Sequence, residues 1–218
     1  MNSARFRHSR RMRRCLVLVL CLLPAFAMGQ NVALKYDAFI GVAHAGEIRV
    51  QVARDAQSYQ VRGQARARGL VELLKDTRGW FSAAGRLESG QPLPETYEYY
   101  QKDKSKERFI SVSGGQLTYV KDGASRPPVA ALPGTDLVTA LWVVPRCEGL
   151  TEVHTGRSGY AFTLLEQAGG VCRFRVKEDD EDEPPFSLDV EYGERGGVRV
   201  PVSIRSTGGW AGRIVLVE

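Results

Sequence analysis

The chain has 218 residues, with 30 Lys and Arg against 25 Asp and Glu and a formal net charge of +5. Six of its arginines, and none of its acidic residues, lie within the first 27 residues. Without that segment, 24 basic residues face 25 acidic ones, which excludes the strongly basic surface typical of nucleic-acid-binding proteins.

Residues 1–27 have the three parts of a secretory signal peptide. Arginines come first, a short apolar run from Leu16 to Leu23 follows, and small residues such as Ala25 close the segment. The run is shorter than the roughly 20 apolar residues that cross a membrane. We therefore expect cleavage after Ala27 or Gly29 and a soluble periplasmic protein that does not span the membrane. An uncleaved N-terminal anchor is the alternative.

Residues 30–218 alternate apolar and polar side chains over about a dozen short segments. In GEIRVQVAR and SYQVRGQARAR, every second side chain is apolar or small, and mostly arginine and glutamine occupy the positions between. Such alternation is typical of strands with one buried face. The connections are mostly too short for crossover helices, which favours antiparallel pairing.

Two segments, residues 69–76 and 134–144, break this alternation and are predicted to be helical. The second begins with a Thr-Asp pair suited to capping and places Leu137, Leu141 and Trp142 at helical spacing. We predict a mainly β fold: a single domain formed by a strongly curved antiparallel sheet or incomplete β-barrel, with two short helices lying over the concave side. An outer-membrane barrel is disfavoured, because the outward positions carry Arg, Gln, Lys and Ser.

Cys147 and Cys172 are the two cysteines outside the predicted signal peptide. Export to an oxidising compartment makes a structural disulfide their expected state. A redox or metal-binding pair is the alternative, but the C-x-x-C spacing is absent, and only His44 and His154 remain as histidine partners. We therefore predict a Cys147–Cys172 disulfide and neither a metal site nor a cofactor.

The segments KYDAFIGVAHAGEIRV and GQARARGLVELLKDTRGWFSAAGRL resemble the start of the bacterial family called domain of unknown function 3108. The features that resemble it are a Tyr-Asp strand, a glycine turn leading to Ala-Gly-Glu, a small-residue strand followed by GLVELL, and an aromatic strand with Gly-Arg-Leu. The later helix, the cysteine pair and the RVPVSIR strand also look similar. The resemblance implies an exported, mostly β envelope protein with no assigned reaction.

The acidic run EDDEDE at residues 178–183 invites a calcium site. Pro184 and Pro185 fall where an EF-hand loop needs an oxygen ligand and a glycine, so a solvated loop between two strands is the better interpretation, with weak cation binding as the alternative. In GRSGY, Tyr160 stands where a nucleophile elbow needs glycine, which favours a hairpin turn. We predict no catalytic residues and no enzymatic activity.

Two strands suggest binding surfaces. In ETYEYYQ, alternation sets Tyr97 and Tyr99 on one face and Tyr100 on the other, where tyrosines can either stack on a sugar or fill the edge of a core. In SYQVRGQARAR, the inward side chains shrink to glycine and alanine, which either lets a helix pack close or leaves a cavity. A cavity would form an apolar slot for an acyl chain or another apolar ligand. The candidate residues of that slot are Gly63, Ala65, Ala67, Trp80, Phe81 and Trp142.

The sequence leaves three functions open. The leading hypothesis is a non-catalytic periplasmic binding module for an apolar or lipid-like component of the envelope. The second is a structural or interaction protein of the cell envelope with a filled core and unknown protein partners. The third, a hydrolase acting on wall or lipid material, needs Ser, His and Asp, or paired carboxylates, in one cleft.

Overall fold

The computed structural model describes residues 29–69, 71–72, 76–144, 146–148, 150–179, 182–208 and 211–218, so the predicted signal peptide lies outside the described residues. Strands dominate this part of the chain and form a single sheet, as predicted. The elements are β1 Gln30–Ile40, β2 Ala43–Arg54, β3 Ser58–Ala67, β4 Arg78–Glu88, β5 Gln91–Lys102, β6 Glu107–Ser113, β7 Gln116–Lys121, β8 Ala124–Ser125, β9 Val129–Ala130, β10 Thr135–Asp136, α1 Leu137–Trp142, β11 Glu152–His154, β12 Gly159–Ala168, β13 Val171–Glu178, β14 Phe186–Arg195, β15 Val198–Thr207 and β16 Gly212–Leu216.

The strand order is β10-β11-β12-β13-β14-β15-β16-β1-β2-β3-β4-β5-β6-β7-β8, with β9 also pairing β7. Among the described strands, pairing is antiparallel except between β10 and β11, which are parallel. The antiparallel prediction therefore holds for the hairpin-connected strands. The parallel pair arises because α1 lies between β10 and β11 and brings the chain back in the same direction.

The sheet is curved by β-bulges as well as by its intrinsic twist. The register shifts between Ala38 and Phe39 on β1, and between Ala84 and Gly85 on β4. Further shifts occur on β12 and β14. Each bulge bends its strand and increases the local twist, so a long sheet curls upon itself. The result is the predicted incomplete barrel.

Helix α1 packs against the concave side of this sheet. Its N-cap is Asp136, whose Oδ1 accepts a hydrogen bond of 2.8 Å from the Thr139 amide, as the Thr-Asp signature predicted. At the other end of the helix, the Trp142 indole donates to the Tyr36 hydroxyl over 3.1 Å, and that hydroxyl donates to the Pro201 carbonyl over 2.9 Å. The helix thereby connects to inward-facing groups of β1 and β15.

The second predicted helix, at residues 69–76, falls partly on residues 70 and 73–75, which lie outside the described residues. Two i to i−4 hydrogen bonds fall in this segment, from the Glu72 amide to the Arg68 carbonyl at 3.4 Å and from the Asp76 amide to the Glu72 carbonyl at 2.8 Å. The described residues 69, 71 and 72 are helical, in agreement with the prediction for this part of the segment.

The two ends of the sheet meet along a line of side-chain contacts, which we call the seam. The turn between β11 and β12 lies against β5 and β6, because a Cβ placed on Gly156 would come within 2.6 Å of Ile110 Cγ2. Next to that turn, the His154 ring contacts the Tyr97 ring edge-on, with 6.3 Å between centroids. The two ends of the sheet are therefore in contact through side chains, although the pairing of the described strands leaves the barrel open.

Cys147 and Cys172 form the predicted disulfide, with Cα atoms 5.3 Å apart. Both cysteines are buried, and the bond fastens the segment after α1 to β13. A disulfide of this kind indicates an oxidising, extracytoplasmic compartment. In the portion of the chain that the structure covers, none of the helices has the length and apolar character needed to cross a membrane.

The acidic run spans the connection between β13, which ends at Glu178, and β14, which begins at Phe186. This confirms that it joins two strands, although positions 180 and 181 lie outside the described residues. The GRSG segment forms the predicted turn before β12. Among the described residues, no group of three or more His, Cys, Asp or Glu side chains is arranged to hold a metal ion.

Candidate outer binding hollow

The predicted slot residues divide between the two faces of the sheet. Trp80 and Phe81 are consecutive on β4, and consecutive side chains of a strand point to opposite faces. Phe81 pairs with Gly63 on the inner face, whereas Trp80 pairs with Gln64 on the outer face. The period of the strand therefore separates these two predicted residues, and the structure does not bring Trp80 and Phe81 together on one face.

The inner members of the set form a packed aromatic cluster. The Phe81 ring occupies the space beside Gly63, where any Cβ would overlap it. Phe81 in turn packs on Trp142 with ring centroids 5.8 Å apart, and Trp142 contacts Tyr36 edge-on at 6.2 Å. Gly63 on β3 thus makes room for the Phe81 ring and for the helix behind it. Of the two alternatives drawn from the sequence, a closely packed helix or a cavity, the structure has the packed helix at this position. Ala67, also buried, donates its amide to the Thr77 carbonyl over 2.7 Å.

An open hollow of about 390 Å³ lies over β2, β3, β4 and β5, and we call it the outer hollow. Alternation along these strands places its polar and aromatic side chains on the convex face, opposite α1. The hollow includes two of the six predicted residues, Ala65 and Trp80. The residues that line it are Glu47, Arg49, Gln64, Ala65, Arg66, Arg68, Arg78, Gly79, Trp80 and Tyr100.

An aromatic row runs along one side of the outer hollow, and two of its three rings, Trp80 and Tyr100, line the hollow. Trp80, Tyr100 and Phe109 are successive cross-strand partners on β4, β5 and β6. Trp80 stacks on Tyr100 with centroids 6.0 Å apart and an interplanar angle of 20°, and it contacts Phe109 at 6.0 Å. All three rings are half-buried. The row therefore presents apolar ring surface on a face that is otherwise polar.

A hydrogen bond fixes the Tyr100 ring in this row. Its hydroxyl donates to Glu107 Oε1 over 2.7 Å, and this bond raises the pKa of the Tyr100 phenol. The phenol therefore stays neutral at physiological pH. The ring is held at its polar tip and beside Trp80, and part of its apolar surface stays exposed.

Arginines form the opposite side of the outer hollow. Arg66 pairs with Glu72 at 2.8 Å, Arg68 with Glu47 at 3.3 Å, and Arg78 with Asp76 at 2.9 Å. The hydrogen bond from Arg68 lowers the pKa of Glu47, so this carboxylate stays ionised and holds the guanidinium in place. The Arg66–Glu72 and Arg78–Asp76 pairs are largely exposed and stabilise the fold little, whereas the Arg68–Glu47 pair is partly buried. Their effect is to orient guanidinium groups towards the hollow.

Arg49 is the fourth arginine of the hollow, and no ion pair involves it within the described part of the chain. Its cross-strand neighbours are Lys35 on β1 and Gln64 on β3. The lining contains four arginines and one glutamate, and Glu72 and Asp76 pair with two of these arginines, so four positive charges stand against three negative ones. The remaining positive charge favours a ligand that carries negative charge. Guanidinium groups bind carboxylates and phosphates with two parallel hydrogen bonds.

The interior polar groups have structural roles. Burial raises the pKa of Asp136, the helix cap, and Thr139 beside it donates to the Tyr59 hydroxyl over 3.1 Å. Burial lowers the pKa of His154, whose Nδ1 accepts a hydrogen bond of 3.1 Å from the Gly156 amide. His154 is therefore a neutral group that holds the seam turn. His44 lies on the outer side of the barrel, 3.5 Å from the Asp37 carboxylate.

Sequence reasoning missed most of the outer hollow. Alternation put Arg66 and Gln64 on the outward face of β3 and Tyr100 on the face of β5 opposite Tyr97, as observed. What no single strand reveals is the register between strands. Only the register aligns Trp80 with Tyr100 and places both beside the arginines of β2 and β3.

Comparison with known proteins does not assign a family or a function to this chain. No protein-family model and no curated protein matches the sequence, so the resemblance to domain of unknown function 3108 stays a prediction. A crystal structure from Brucella abortus, described as a β-barrel-like protein of domain of unknown function DUF1849, is similar over 89% of this chain and 98% of its own. The sequence identity is 9% and the TM-score 0.45, so the likeness supports no statement about function.

Proposed function

We propose that the chain is an exported, non-catalytic binding protein of the periplasm, whose ligand is a lipid-like envelope component with an anionic group. The observation that carries the proposal is the outer hollow, in which the Trp80–Tyr100 stack faces four arginines. The rings offer apolar contact to a chain or sugar, and the guanidiniums offer hydrogen bonds to a phosphate or carboxylate. The Cys147–Cys172 disulfide supports the exported location.

Membership of the domain of unknown function 3108 family is a second part of this proposal. Its support is the set of local motifs in β1 to β4 and the matching order of helix, cysteine pair and late strand. An exported envelope protein of that family would lie next to membranes, where amphipathic ligands are present.

The ligand class is tested by calorimetric titration with dihexanoyl phosphatidylglycerol below its micelle concentration. Dihexanoyl phosphatidylcholine, which has the same chains and no net charge, is the matched ligand. We expect binding of the anionic lipid and about tenfold weaker binding of the zwitterionic one, because both carry the same phosphate but the arginines of the hollow repel the choline cation. Equal affinities, or no binding of either lipid, would contradict the proposal.

The place of binding is tested by variants of the hollow. Trp80→Ala and Arg66→Ala each remove a group that lines it, and each should weaken binding of the anionic lipid about tenfold. Arg62→Ala is the matched control, because Arg62 is an exposed outward arginine of β3 that does not line the hollow. A comparable loss of affinity in the control would show only a general charge effect.

A second candidate function is a structural or interaction protein of the envelope with a filled core. The packing of Phe81 over Gly63 and against Trp142 favours it. It predicts a stable protein partner in crosslinked cells and no lipid binding in the titration above. The two candidates are thus separated by the same experiment.

A further inference from the structure

A second hollow, of about 160 Å³, lies at the seam of the barrel, and we call it the seam hollow. It is formed where β7, the segment between β8 and β9, and the turn between β11 and β12 come together. Its apolar walls are Ile110, Leu117, Pro127 and Val129. Its polar groups are Tyr119, Arg126 and Arg157.

The two arginines of the seam hollow converge on one ring. The guanidinium of Arg126 lies 5.3 Å from the centroid of the Tyr119 ring, and that of Arg157 lies 5.7 Å from it. Arg126 follows β8 and Arg157 belongs to the turn before β12, so the opposite ends of the sheet supply the two charges. In the portion of the chain that is described, neither guanidinium forms an ion pair with a carboxylate. Two unneutralised cations thus face one small hollow, an arrangement that a bound anion stabilises.

The hydroxyl of Tyr119 gives a second, independent indication of a ligand. The residue is 8% exposed, it lines the seam hollow, and its hydroxyl is buried with no hydrogen-bond partner. A buried donor left unpaired costs stability, and folded proteins rarely leave one without a reason. An oxyanion between the arginines would accept this third hydrogen bond.

Tyr192 and Arg199 provide an internal comparison. The Arg199 guanidinium lies 5.6 Å from the centroid of the Tyr192 ring, and the Tyr192 hydroxyl is also buried and unpaired. Tyr192 and Arg199 thus form, on another part of the barrel, the same contact between one guanidinium and a tyrosine with an unpaired hydroxyl. What distinguishes the seam is the second guanidinium and the apolar walls beside it.

We propose that the seam hollow binds the oxyanion of an alkyl phosphate or alkyl carboxylate, with Arg126 and Arg157 as the anion-binding residues and Tyr119 as a third donor. The apolar walls of Ile110, Leu117 and Val129 receive the first carbons of the alkyl stem. This site is separate from the outer hollow, shares no lining residue with it, and stands whether or not the outer hollow binds a lipid.

Calorimetric titration with hexyl phosphate, hexanoate and inorganic phosphate tests this site. Hexyl phosphate and hexanoate distinguish the phosphate and carboxylate sources of the oxyanion, and binding of either supports the site. Binding of neither overturns it. Inorganic phosphate should bind at least about tenfold more weakly than the alkyl ligand, because it makes no contact with the apolar walls. Equal affinity would overturn the alkyl assignment.

Variants locate the binding at the seam. The double variant Arg126→Ala, Arg157→Ala should weaken binding of the alkyl ligand by about tenfold or more, whereas Arg199→Ala should leave it unchanged. Tyr119→Phe, which removes only the unpaired hydroxyl, should weaken binding several-fold with no loss of thermal stability, and Tyr192→Phe is its control. Unchanged affinity in both the double variant and Tyr119→Phe would overturn the proposal. Trp80→Ala should leave this binding intact, which separates the seam from the outer hollow.

Discussion

Trp80 and Phe81 are neighbours in the chain but belong to two different regions of the molecule. Phe81 lies on the concave side, where its ring covers Gly63 and packs on Trp142 of the helix. Trp80 lies on the convex side, where it stacks on Tyr100 beside a group of arginines. One strand thus contributes a ring to a filled core and a ring to an open hollow.

The different surroundings of these two rings indicate that the two faces of the sheet have separate roles. On the inside, aromatic rings and the helix fill the barrel, so their contribution is to the free energy of unfolding. On the outside, the rings remain half-exposed, and the charges beside them are weakly coupled surface pairs. We therefore expect inner substitutions to change stability and outer substitutions to change binding.

The largest expected effect comes from comparing the tryptophans of the two regions. Trp142→Ala should lower the free energy of unfolding by about 3–5 kcal/mol, since it empties a buried site and removes the hydrogen bond to Tyr36. Trp80→Ala should lower it by about 1 kcal/mol, because the ring is partly exposed. Urea denaturation measures both values, and similar losses for the two variants would contradict the division into inner and outer regions.

The disulfide should come next in size. Cys147 and Cys172 are separated by 25 residues in sequence. Closing such a loop restricts the unfolded chain and stabilises the fold by about 3.5 kcal/mol. The double variant Cys147→Ser, Cys172→Ser should therefore lose about that amount in urea denaturation. The wild type treated with a reductant is the control, and it should unfold at the same denaturant concentration as the variant.

Gly63→Ala tests the packing that fills the interior. The added methyl group would overlap the Phe81 ring, so we expect a loss of about 1–3 kcal/mol from overpacking. Gly212→Ala is the matched control on β16, where the nearest atoms to a new Cβ are 3.7 Å away, and it should change stability by less than about 0.5 kcal/mol. A neutral or stabilising Gly63→Ala would mean that free space lies beside Phe81 after all.

The smallest expected effect is the pH dependence of the helix cap. Burial raises the pKa of Asp136 above its ordinary value of 3.8, so the folded protein holds this proton more tightly than the unfolded chain. The free energy of unfolding should then fall as pH rises through the unfolded and then the folded pKa. Asp136→Asn keeps a capping oxygen and removes the ionisation.

Denaturation of both proteins at a series of pH values measures this effect. Relative to Asp136→Asn, the wild type should lose stability as the pH rises above about 4. The other carboxylates of the chain cancel in this difference. A relative stability that is flat with pH, or that rises with it, would contradict the raised pKa of the buried Asp136 carboxyl.

Much of the fold could be predicted from the alternation of side chains, because the period of a strand is local. The runs around Val50, Val61 and Val200 have their inward faces buried, as expected, and Asp136 caps the helix. The pairing of β10 with β11 could not be predicted, since it depends on where α1 returns the chain. The outer hollow could not be predicted either, because it depends on the register that brings Trp80 beside Tyr100.

The most direct test of the two-region account is the indole N–H spectrum of ¹⁵N-tryptophan-labelled protein during titration with dihexanoyl phosphatidylglycerol. The chain has three tryptophans, and Trp→Phe variants assign their signals. We predict that the Trp80 signal shifts with lipid concentration while that of Trp142, hydrogen-bonded to Tyr36 in the interior, stays in place. A shift of the Trp142 signal with a stationary Trp80 signal would contradict the account and locate the ligand inside the barrel.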